Sequence, residues 1–387
     1  MTMQKTIYFD NNATTAVAPE VFEAMKPFLT TLYGNPSSIH SFGGQVMSYV
    51  DKAREQVAGL LGAKSTEIIF TACGTEADNA ALWSAVTTQP KRTKLVISQV
   101  EHPAILNTAK ELERRGTTVS ILPVDEHGRL DMGRAMEEID ENTALVSVMW
   151  ANNEIGNVFP IRELAEMAHS KGALFHTDAV QAVGKVPINL AKDEIDFLSL
   201  SGHKLHAPKG VGALYVRRGT RFHPFVTGGH QESGRRAGTE NVASIVGLGT
   251  AAELAKANME KENTFVRNLR DTLEQGVLAS IPKVRVNGDV ANRLPNTTNI
   301  SFEYIEGESI LMLLDQFGIC ASSGSACTTG SLEPSHVLRA MGLPYTAAHG
   351  AIRFSFSRYN TMEEVQFTLE KLPPIISRLR EISPYGR

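Results

Sequence analysis

Short, continuously apolar segments alternate with amphipathic segments over the first two thirds of the chain, and this alternation strongly constrains the fold. Uninterrupted apolar runs this short are typical of strands covered on both faces of a parallel sheet. Residues 161–171 have the pattern of an intervening helix, with Gly172 at its C-cap position. The predicted strands are residues 68–70, 95–97, 144–149, 173–175, 197–200 and 211–216. The pattern predicts an α/β fold with a mainly parallel sheet between helices.

The pattern changes after residue 257. Residues 260–278 have the composition of a long charged helix, and short strand-like runs follow at 284–286, 298–302 and 353–356. A smaller α+β domain is therefore predicted, and a chain of 387 residues is long enough for two domains. We predict a large domain over residues 14–257. The small domain would comprise residues 1–13 and 258–387.

Composition excludes several classes of protein. No apolar run approaches the ~20 residues that a membrane span needs, and the N-terminus lacks the pattern of a secretory signal. A formal net charge of −4 argues against a large nucleic-acid-binding face. Three cysteines are too few for a disulfide framework, so we expect a cytoplasmic protein with reduced thiols. A cysteine that is important for this protein is then expected to take part in the chemistry and not in a structural disulfide.

Polar residues follow five of the predicted strands directly. In an open α/β sheet, ligands bind at the carboxyl ends of the strands, so these residues predict a binding site. They include a turn suited to phosphate, a histidine, an amide, a carboxylate and a lysine. In chain order they are residues 73–76, residues 101–102, residues 152–154, Asp178 and residues 201–204.

The lysine in this set, Lys204, suggests an imine with an aldehyde cofactor. Pyridoxal phosphate needs an anion site, a carboxylate for its ring nitrogen and a partner for its ring face. Gly74 and Thr75 precede a good helix start, whose free N–H groups and dipole would bind phosphate. Asp178 ends a buried strand, where a carboxylate can keep the ring nitrogen protonated. Pyridoxal phosphate is therefore the expected cofactor.

An ordered set of motifs over nearly the whole chain resembles the cysteine desulfurases of the NifS/IscS type. These belong to the class-V aminotransferase family and are pyridoxal-phosphate enzymes of fold type I, for which the large domain has a seven-stranded sheet. Residues 235–241 are closer to the NifS branch than to the IscS branch. The motifs are 8–15 (YFDNNATT), 34–40 (GNPSSIH), 101–103 (EHP), 152–156 (NNEIG), 176–181 (HTDAVQ), 201–204 (SGHK), 236–241 (RAGTEN) and 322–327 (SSGSAC).

The resemblance implies a role for each residue around the cofactor. Lys204 would hold the cofactor covalently and move the α-proton of the substrate, and His102 would stack on the ring and serve in proton transfer. Asp178 would pair with the ring nitrogen and Gln181 with the phenolic oxygen. Thr239 would reach the phosphate from a partner subunit, which implies a homodimer. The remaining phosphate ligands would be Gly74, Thr75, Ser201 and His203.

The resemblance also implies a path for sulfur. Asn153 and Arg353 would hold the carboxylate of L-cysteine, and Asn153 would also contact the cofactor. Cys327 would take the sulfur as a persulfide, and L-alanine would be the other product. Small polar residues surround Cys327, which predicts a mobile loop. An ordinary cysteine is only a few per cent thiolate at pH 7, so something must deprotonate Cys327. His102 is one candidate and the displaced proton of the substrate is another.

The implied partner is a NifU-like or IscU-like scaffold protein or another sulfur acceptor, with Cys327 transiently ligating a shared iron–sulfur cluster. Two physiological roles are implied, assembly of nitrogenase for nitrogen fixation and general supply of iron–sulfur clusters. The alternative activities are another fold-type-I reaction, such as an aminotransferase or a selenocysteine lyase, and a non-catalytic sulfur carrier or scaffold.

Each site residue also has a plain structural interpretation. His102, Asp178 and the Gly74–Thr75 turn could simply cap helices. Asn153 and Gln181 could satisfy loop backbone, and Arg353 could form a surface ion pair. Cys73 and Cys320 have the surroundings of packed thiols. No spacing resembles a zinc site, so the scattered histidines His40, His206, His336 and His349 are expected to be structural.

Overall fold

The computed structural model describes residues 6–323 and 334–384. Its strands are β1 (Ile7–Tyr8), β2 (Ile68–Thr71), β3 (Lys94–Ser98), β4 (Thr118–Leu122), β5 (Thr143–Ser147), β6 (Leu174–Asp178), β7 (Phe197–Ser201), β8 (Gly212–Val216), β9 (Val284–Asn287), β10 (Thr297–Phe302), β11 (Ile319–Cys320) and β12 (Ala351–Ser355). Its α-helices are α1 (Pro19–Thr30), α2 (Ser41–Leu61), α3 (Gly74–Thr88), α4 (Pro103–Arg114), α5 (Met132–Glu138), α6 (Ile161–Ser170), α7 (Val242–Ala257), α8 (Met259–Lys261), α9 (Arg267–Ser280), α10 (Gly307–Asp315), α11 (His336–Ala340), α12 (Tyr345–His349) and α13 (Met362–Ile382).

A seven-stranded sheet forms the centre of the large region, in the order β2-β8-β7-β6-β5-β3-β4. Strand β8 pairs antiparallel with both β2 and β7, whereas the pairs from β7 to β4 are parallel. The predicted α/β fold with a mainly parallel sheet is therefore confirmed. The apolar runs predicted six of the seven strands. They missed β4, an edge strand with one buried residue, Leu122, and with the polar residues Thr118 and Ser120.

Helices cover both faces of this sheet, which explains the continuously apolar strands. Successive residues of β5 point to opposite faces. Val146 packs in a core with Val57, Leu164 and Leu248 from α2, α6 and α7. Its neighbour Leu145 belongs to a second core formed with α3 and α4. Both sides of each central strand must therefore be apolar.

A second region is built on a three-stranded antiparallel sheet in the order β12-β10-β9, and β1 pairs with β11 beside it. Its core combines Phe9 from the N-terminal segment with Ile300, Phe354 and Leu372. The predicted long helix runs from α8 through a π-helical turn (Glu262–Val266) into α9. The domain boundary after residue 257 stays a prediction. In the part of the chain that the structure describes, no helix is long and apolar enough to cross a membrane.

Candidate active site

A cavity of about 290 Å³ lies at the carboxyl ends of the parallel strands, where the residues after β2, β3, β5, β6 and β7 meet. Arg353, on β12 of the smaller sheet, closes one side of it. The cavity brings together most of the residues that the sequence singled out. These are Gly74, Thr75, His102, Asn153, Asp178, Gln181, Ser201, His203, Lys204 and Arg353.

One end of the cavity is built to receive an anion. Helix α3 starts at Gly74, immediately after β2, and the N-cap thiol of Cys73 accepts the N–H of Glu76 at 3.4 Å. Within the described residues, the N–H groups of Gly74 and Thr75 have no acceptor. A Cβ at position 74 would lie 2.8 Å from Cγ2 of Val180, so the backbone stays open only with glycine there. Unpaired N–H groups at a helix start suit a phosphate.

Buried carboxyl groups also line the cavity. Asp178, at the end of β6, accepts the N–H of Val180 at 2.9 Å. Burial raises its pKa, and the nearby His102 and Lys204 oppose this shift. Asp78 on α3 is 1% exposed, and its Oδ1 has no hydrogen-bond partner among the described residues. Burial and then the charge of Asp178 raise the pKa of Asp78 well above its usual range.

His176 lies behind these carboxyl groups without supplying a positive charge. Its ring nitrogens bond the hydroxyl groups of Ser147 (2.8 Å) and Ser199 (3.0 Å), and burial lowers its pKa to about 3. The oxygen and nitrogen atoms of Asp78, Asp178 and His102 lie within 4.8 Å of one another. Within the described residues, Lys204 places a positive charge near Asp178, and the protonated nitrogen of a pyridine ring would add another.

His102 has two roles in the structure. Its Nδ1 accepts the N–H of Ala104 at 3.1 Å, so it caps α4, and its ring also lines the cavity. Burial lowers its pKa, which favours the neutral ring. Because Nδ1 is the acceptor, Nε2 carries the proton of that neutral ring. His102 therefore caps α4 and lines the cavity at once, and its role toward a cofactor stays a prediction.

Lys204 lies in a short 3₁₀ turn directly after β7 (Gly202–Lys204). Its Nζ donates to the carbonyl oxygens of Asn12 and Ala13, the latter at 2.6 Å. The amide of Gln181 also donates to the Asn12 carbonyl, at 2.9 Å, while its Oε1 has no partner among the described residues. The N-terminal segment thus forms one wall of the site. Asn12 belonged to a recognised motif, but nothing in the sequence predicted this contact.

Arg353 is 1% exposed, so the interpretation as a surface ion pair is wrong. Its guanidinium donates to the carbonyl of Asn153 at 2.9 Å and to the carboxylate of Asp10 at 2.7 Å. Its backbone pairs with Ser322, the N–H of Arg353 donating to the Ser322 carbonyl at 2.6 Å. A buried guanidinium at the cavity wall is suited to a carboxylate ligand.

Two residues beside the cavity, Ser335 and His336, were not predicted as site residues, and each contacts a glutamate of the predicted strand-end set. The ring nitrogen Nε2 of His336 lies 2.9 Å from the carbonyl oxygen of Glu101, and the hydroxyl of Ser335 donates to the carboxylate of Glu154. Glu101 is fully buried, and burial raises its pKa to about 8. His336 was expected to be structural because no ligand spacing marks it, yet it lines the cavity. Its place nine residues after Cys327 was the available signal.

One predicted residue, Thr239, does not line this cavity, and another, Cys327, lies outside the described residues. Thr239 is exposed and lines a separate cavity of about 170 Å³ with Thr71 and Arg236. Cys327 and most of its predicted loop lie outside the described residues. Of the other cysteines, Cys73 caps α3 at the cavity wall, and Cys320 is half-buried in β11, where burial raises the pKa of its thiol.

Comparisons with known proteins agree with this geometry. The model of the family described as aminotransferase class-V matches residues 7–367. The chain is 60% identical over 379 residues to a cysteine desulfurase of Trichormus azollae, covering 98% of this chain and 95% of the relative. It is 60% identical over 380 residues to the cysteine desulfurase NifS of Azotobacter vinelandii, covering 98% and 94%.

Solved structures give the same result. A NifS-like protein superposes with a TM-score of 0.91 at 39% identity, covering 97% of this chain and all of that one. A structure of SspA in complex with cysteine superposes with a TM-score of 0.82 at 34% identity, covering 92% and 100%. The chain therefore belongs to the class-V aminotransferase family, and it is a NifS-like cysteine desulfurase that uses pyridoxal phosphate.

Proposed function

We propose that this chain takes sulfur from L-cysteine, receives it on Cys327 as a persulfide and releases L-alanine. The observation that carries the proposal is how the segment containing Cys327 is attached. On its N-terminal side, Ser322 pairs with the backbone of Arg353. On its C-terminal side, Ser335 donates to Glu154. Both attachments are at the wall of the cavity that contains Lys204.

The reach of the chain supports the same proposal. Cys327 is five residues beyond Ser322. At ~3.6 Å per residue, five residues span at most ~18 Å, so Cys327 stays within that distance of Ser322. A thiol attached this way can meet a substrate in the cavity and still be accessible to a second protein.

The cavity residues fit pyridoxal phosphate through its two charged ends. The open N–H groups of Gly74 and Thr75, with Ser201 and His203, would hold the phosphate. Asp178 would hold the ring nitrogen, and the unpaired Oε1 of Gln181 lies at the same cavity. When bound, the cofactor supplies an aldehyde that joins amines and a ring that accepts an electron pair.

The other side chains would act on the substrate. Lys204 would hold the cofactor at its Nζ and then move the α-proton of cysteine. His102 would lie against the ring, with its position fixed by the cap on α4. Arg353 and Asn153 would orient the carboxylate of the amino acid, because a guanidinium offers paired donors in a fixed plane. Similarity to SspA, whose solved structure contains cysteine, supports this substrate.

The sulfur would pass to a NifU-like or IscU-like scaffold for iron–sulfur cluster assembly, with transient ligation of a cluster by Cys327. A cytoplasmic setting, which keeps thiols reduced, suits this transfer. Similarity to the cysteine desulfurase NifS of Azotobacter vinelandii supports sulfur supply by this chain, either for nitrogenase assembly or for iron–sulfur clusters in general.

The proposal is tested by incubating the purified holoenzyme with L-cysteine and no reductant. We expect L-alanine to form once per subunit and a persulfide to map to Cys327 by mass spectrometry. Formation of pyruvate or of a new amino acid in place of alanine would instead indicate a different fold-type-I reaction.

We also propose a homodimer, in which Thr239 reaches the phosphate of the partner subunit. Helices α1 and α2 and the turn between them expose Phe22, Leu29, Tyr33 and Ile39, an apolar surface of the kind that a partner covers. Thr239 is exposed and does not line the cavity of its own subunit.

Sedimentation is expected to give twice the chain mass of 42.1 kDa. Leu29→Asp should weaken the dimer at least tenfold, because it places a charge in a desolvated contact. The matched control is Met312→Asp, which changes an exposed apolar residue on α10 and should leave the dimer intact. A monomeric wild type that retains full activity would contradict the dimer.

A further inference from the structure

The cavity contains an imidazole that the proposed roles leave unused. His336 lines the cavity together with His102, Glu154 and Arg353. Its Nε2 lies 2.9 Å from the carbonyl oxygen of Glu101. A carbonyl oxygen can only accept, so Nε2 must carry the proton and, in the neutral ring, Nδ1 has the lone pair. Within the described residues, that Nδ1 has no hydrogen-bond partner.

The other two histidines of the cavity are poorly placed to accept a proton. Nδ1 of His102 already accepts the N–H of Ala104, so the lone pair of its neutral ring is occupied. Burial and the neighbouring Lys204 lower the pKa of His203 to about 4, which makes it a weak base at neutral pH. Among these three imidazoles, His336 therefore has the available lone pair.

We propose that His336 is a catalytic base that removes the thiol proton of the sulfur acceptor in this cavity. The inference rests on the proposed function, in which that thiol belongs to Cys327. Nδ1 takes the proton, and the resulting thiolate forms an S–S bond with the substrate sulfur. The C–S bond of the substrate breaks, and its electron pair stays on the carbon, which takes up a proton. The acceptor sulfur is oxidised to the persulfide and the carbon is reduced to the methyl group of alanine.

The charges around His336 favour this step. Glu154 faces it from the loop after β5, and its carboxylate would stabilise the imidazolium. Burial raises the pKa of Glu154, while the hydroxyl of Ser335, His336 and Arg353 lower it. His102 and Arg353 line the same cavity as His336, and the residue whose carbonyl His336 bonds, Glu101, carries a buried carboxyl group. The hydrogen bond to Glu101 holds the ring in one tautomer.

The test is His336→Gln in the holoenzyme. The amide nitrogen of glutamine can replace Nε2 as a donor to the Glu101 carbonyl, but it supplies no base. Desulfuration then depends on spontaneous thiolate, which is about 3% of a thiol of pKa ~8.5 at pH 7. We expect a loss of about 30-fold in turnover at pH 7 that shrinks to within about twofold at pH 9.

Two further measurements separate a base from a structural residue. Exchange of the α-proton of L-alanine in deuterated water needs no thiol, so His336→Gln should retain it within about twofold, with unchanged cofactor absorbance. His349→Gln, a histidine that pairs with Glu306 away from the cavity, is the matched control and should behave as wild type. A loss that is equal at pH 7 and pH 9, or a parallel loss of alanine exchange, would overturn the inference.

Failure of the proposed function gives a different result. If Cys327→Ala still forms persulfide on the protein, the assignment of the acceptor is wrong whatever His336→Gln does. If Cys327→Ala is inactive and His336→Gln is fully active at pH 7, only the assignment of His336 is wrong.

Discussion

Replacing Cys327 with alanine is expected to reduce formation of alanine from cysteine by roughly a thousandfold or more, because the nucleophile that accepts sulfur is then absent. The cofactor site should be unaffected, since the residues that would hold the cofactor lie at or just after the carboxyl ends of β2, β3, β6 and β7. The yellow absorbance of the bound cofactor and the exchange of the α-proton of L-alanine should therefore persist. Alanine formation from cysteine is measured by chromatography and the persulfide by mass spectrometry.

The matched control is Cys320→Ala. Cys320 is half-buried in β11, and burial raises the pKa of its thiol, so it is a poor nucleophile. This variant should retain desulfuration within about twofold. If Cys327→Ala retained desulfuration while Cys320→Ala lost it, the sulfur acceptor would be Cys320 and the assignment to Cys327 would be wrong.

Replacing Lys204 with alanine is expected to remove both covalent attachment of the cofactor and movement of the α-proton. Both functions need the amine at the end of β7, and catalysis by such a group is commonly worth several orders of magnitude. We expect desulfuration and alanine exchange to fall together by at least about a thousandfold. Borohydride reduction followed by peptide mapping should label Lys204 in the wild type and no lysine in the variant.

Lys209→Ala is the control for this experiment. Lys209 is an exposed lysine five residues further along the same loop, and it does not line the cavity. Its replacement should change neither the absorbance spectrum nor the rates. Retention of a reducible bond to the cofactor in Lys204→Ala would show that another amine holds it.

Much of the site could be predicted from the sequence because its parts are local. Gly74 follows β2 and Asp178 ends β6, and strand ends of a parallel sheet meet at one edge. The choice between a structural and a functional interpretation of a single residue could not be made from the sequence. His102 is a helix cap and a cavity residue at once, and Arg353 is buried, which only packing against Asp10 and Asn153 reveals.

The charge states of individual carboxyl and imidazole groups also could not be predicted from the sequence. Asp78 occurs on a helix face that would suit solvent equally well, and its charge state depends on burial beside Asp178. Glu101 directly precedes His102, yet its raised pKa follows from complete burial. Such shifts result from desolvation, which no sequence pattern encodes.

The sequence by itself determined the α/β fold, the expected cofactor and the set of strand-end residues, because the period of apolar residues and the residues that end each strand are local properties. Tertiary structure alone decided that Asn12 contacts Lys204 across 192 positions and that His336 bonds Glu101 across 235. These contacts form only when the N-terminal segment and the region around β12 pack against the edge of the large sheet. The resulting burial then sets which groups in the cavity can carry a charge or accept a proton.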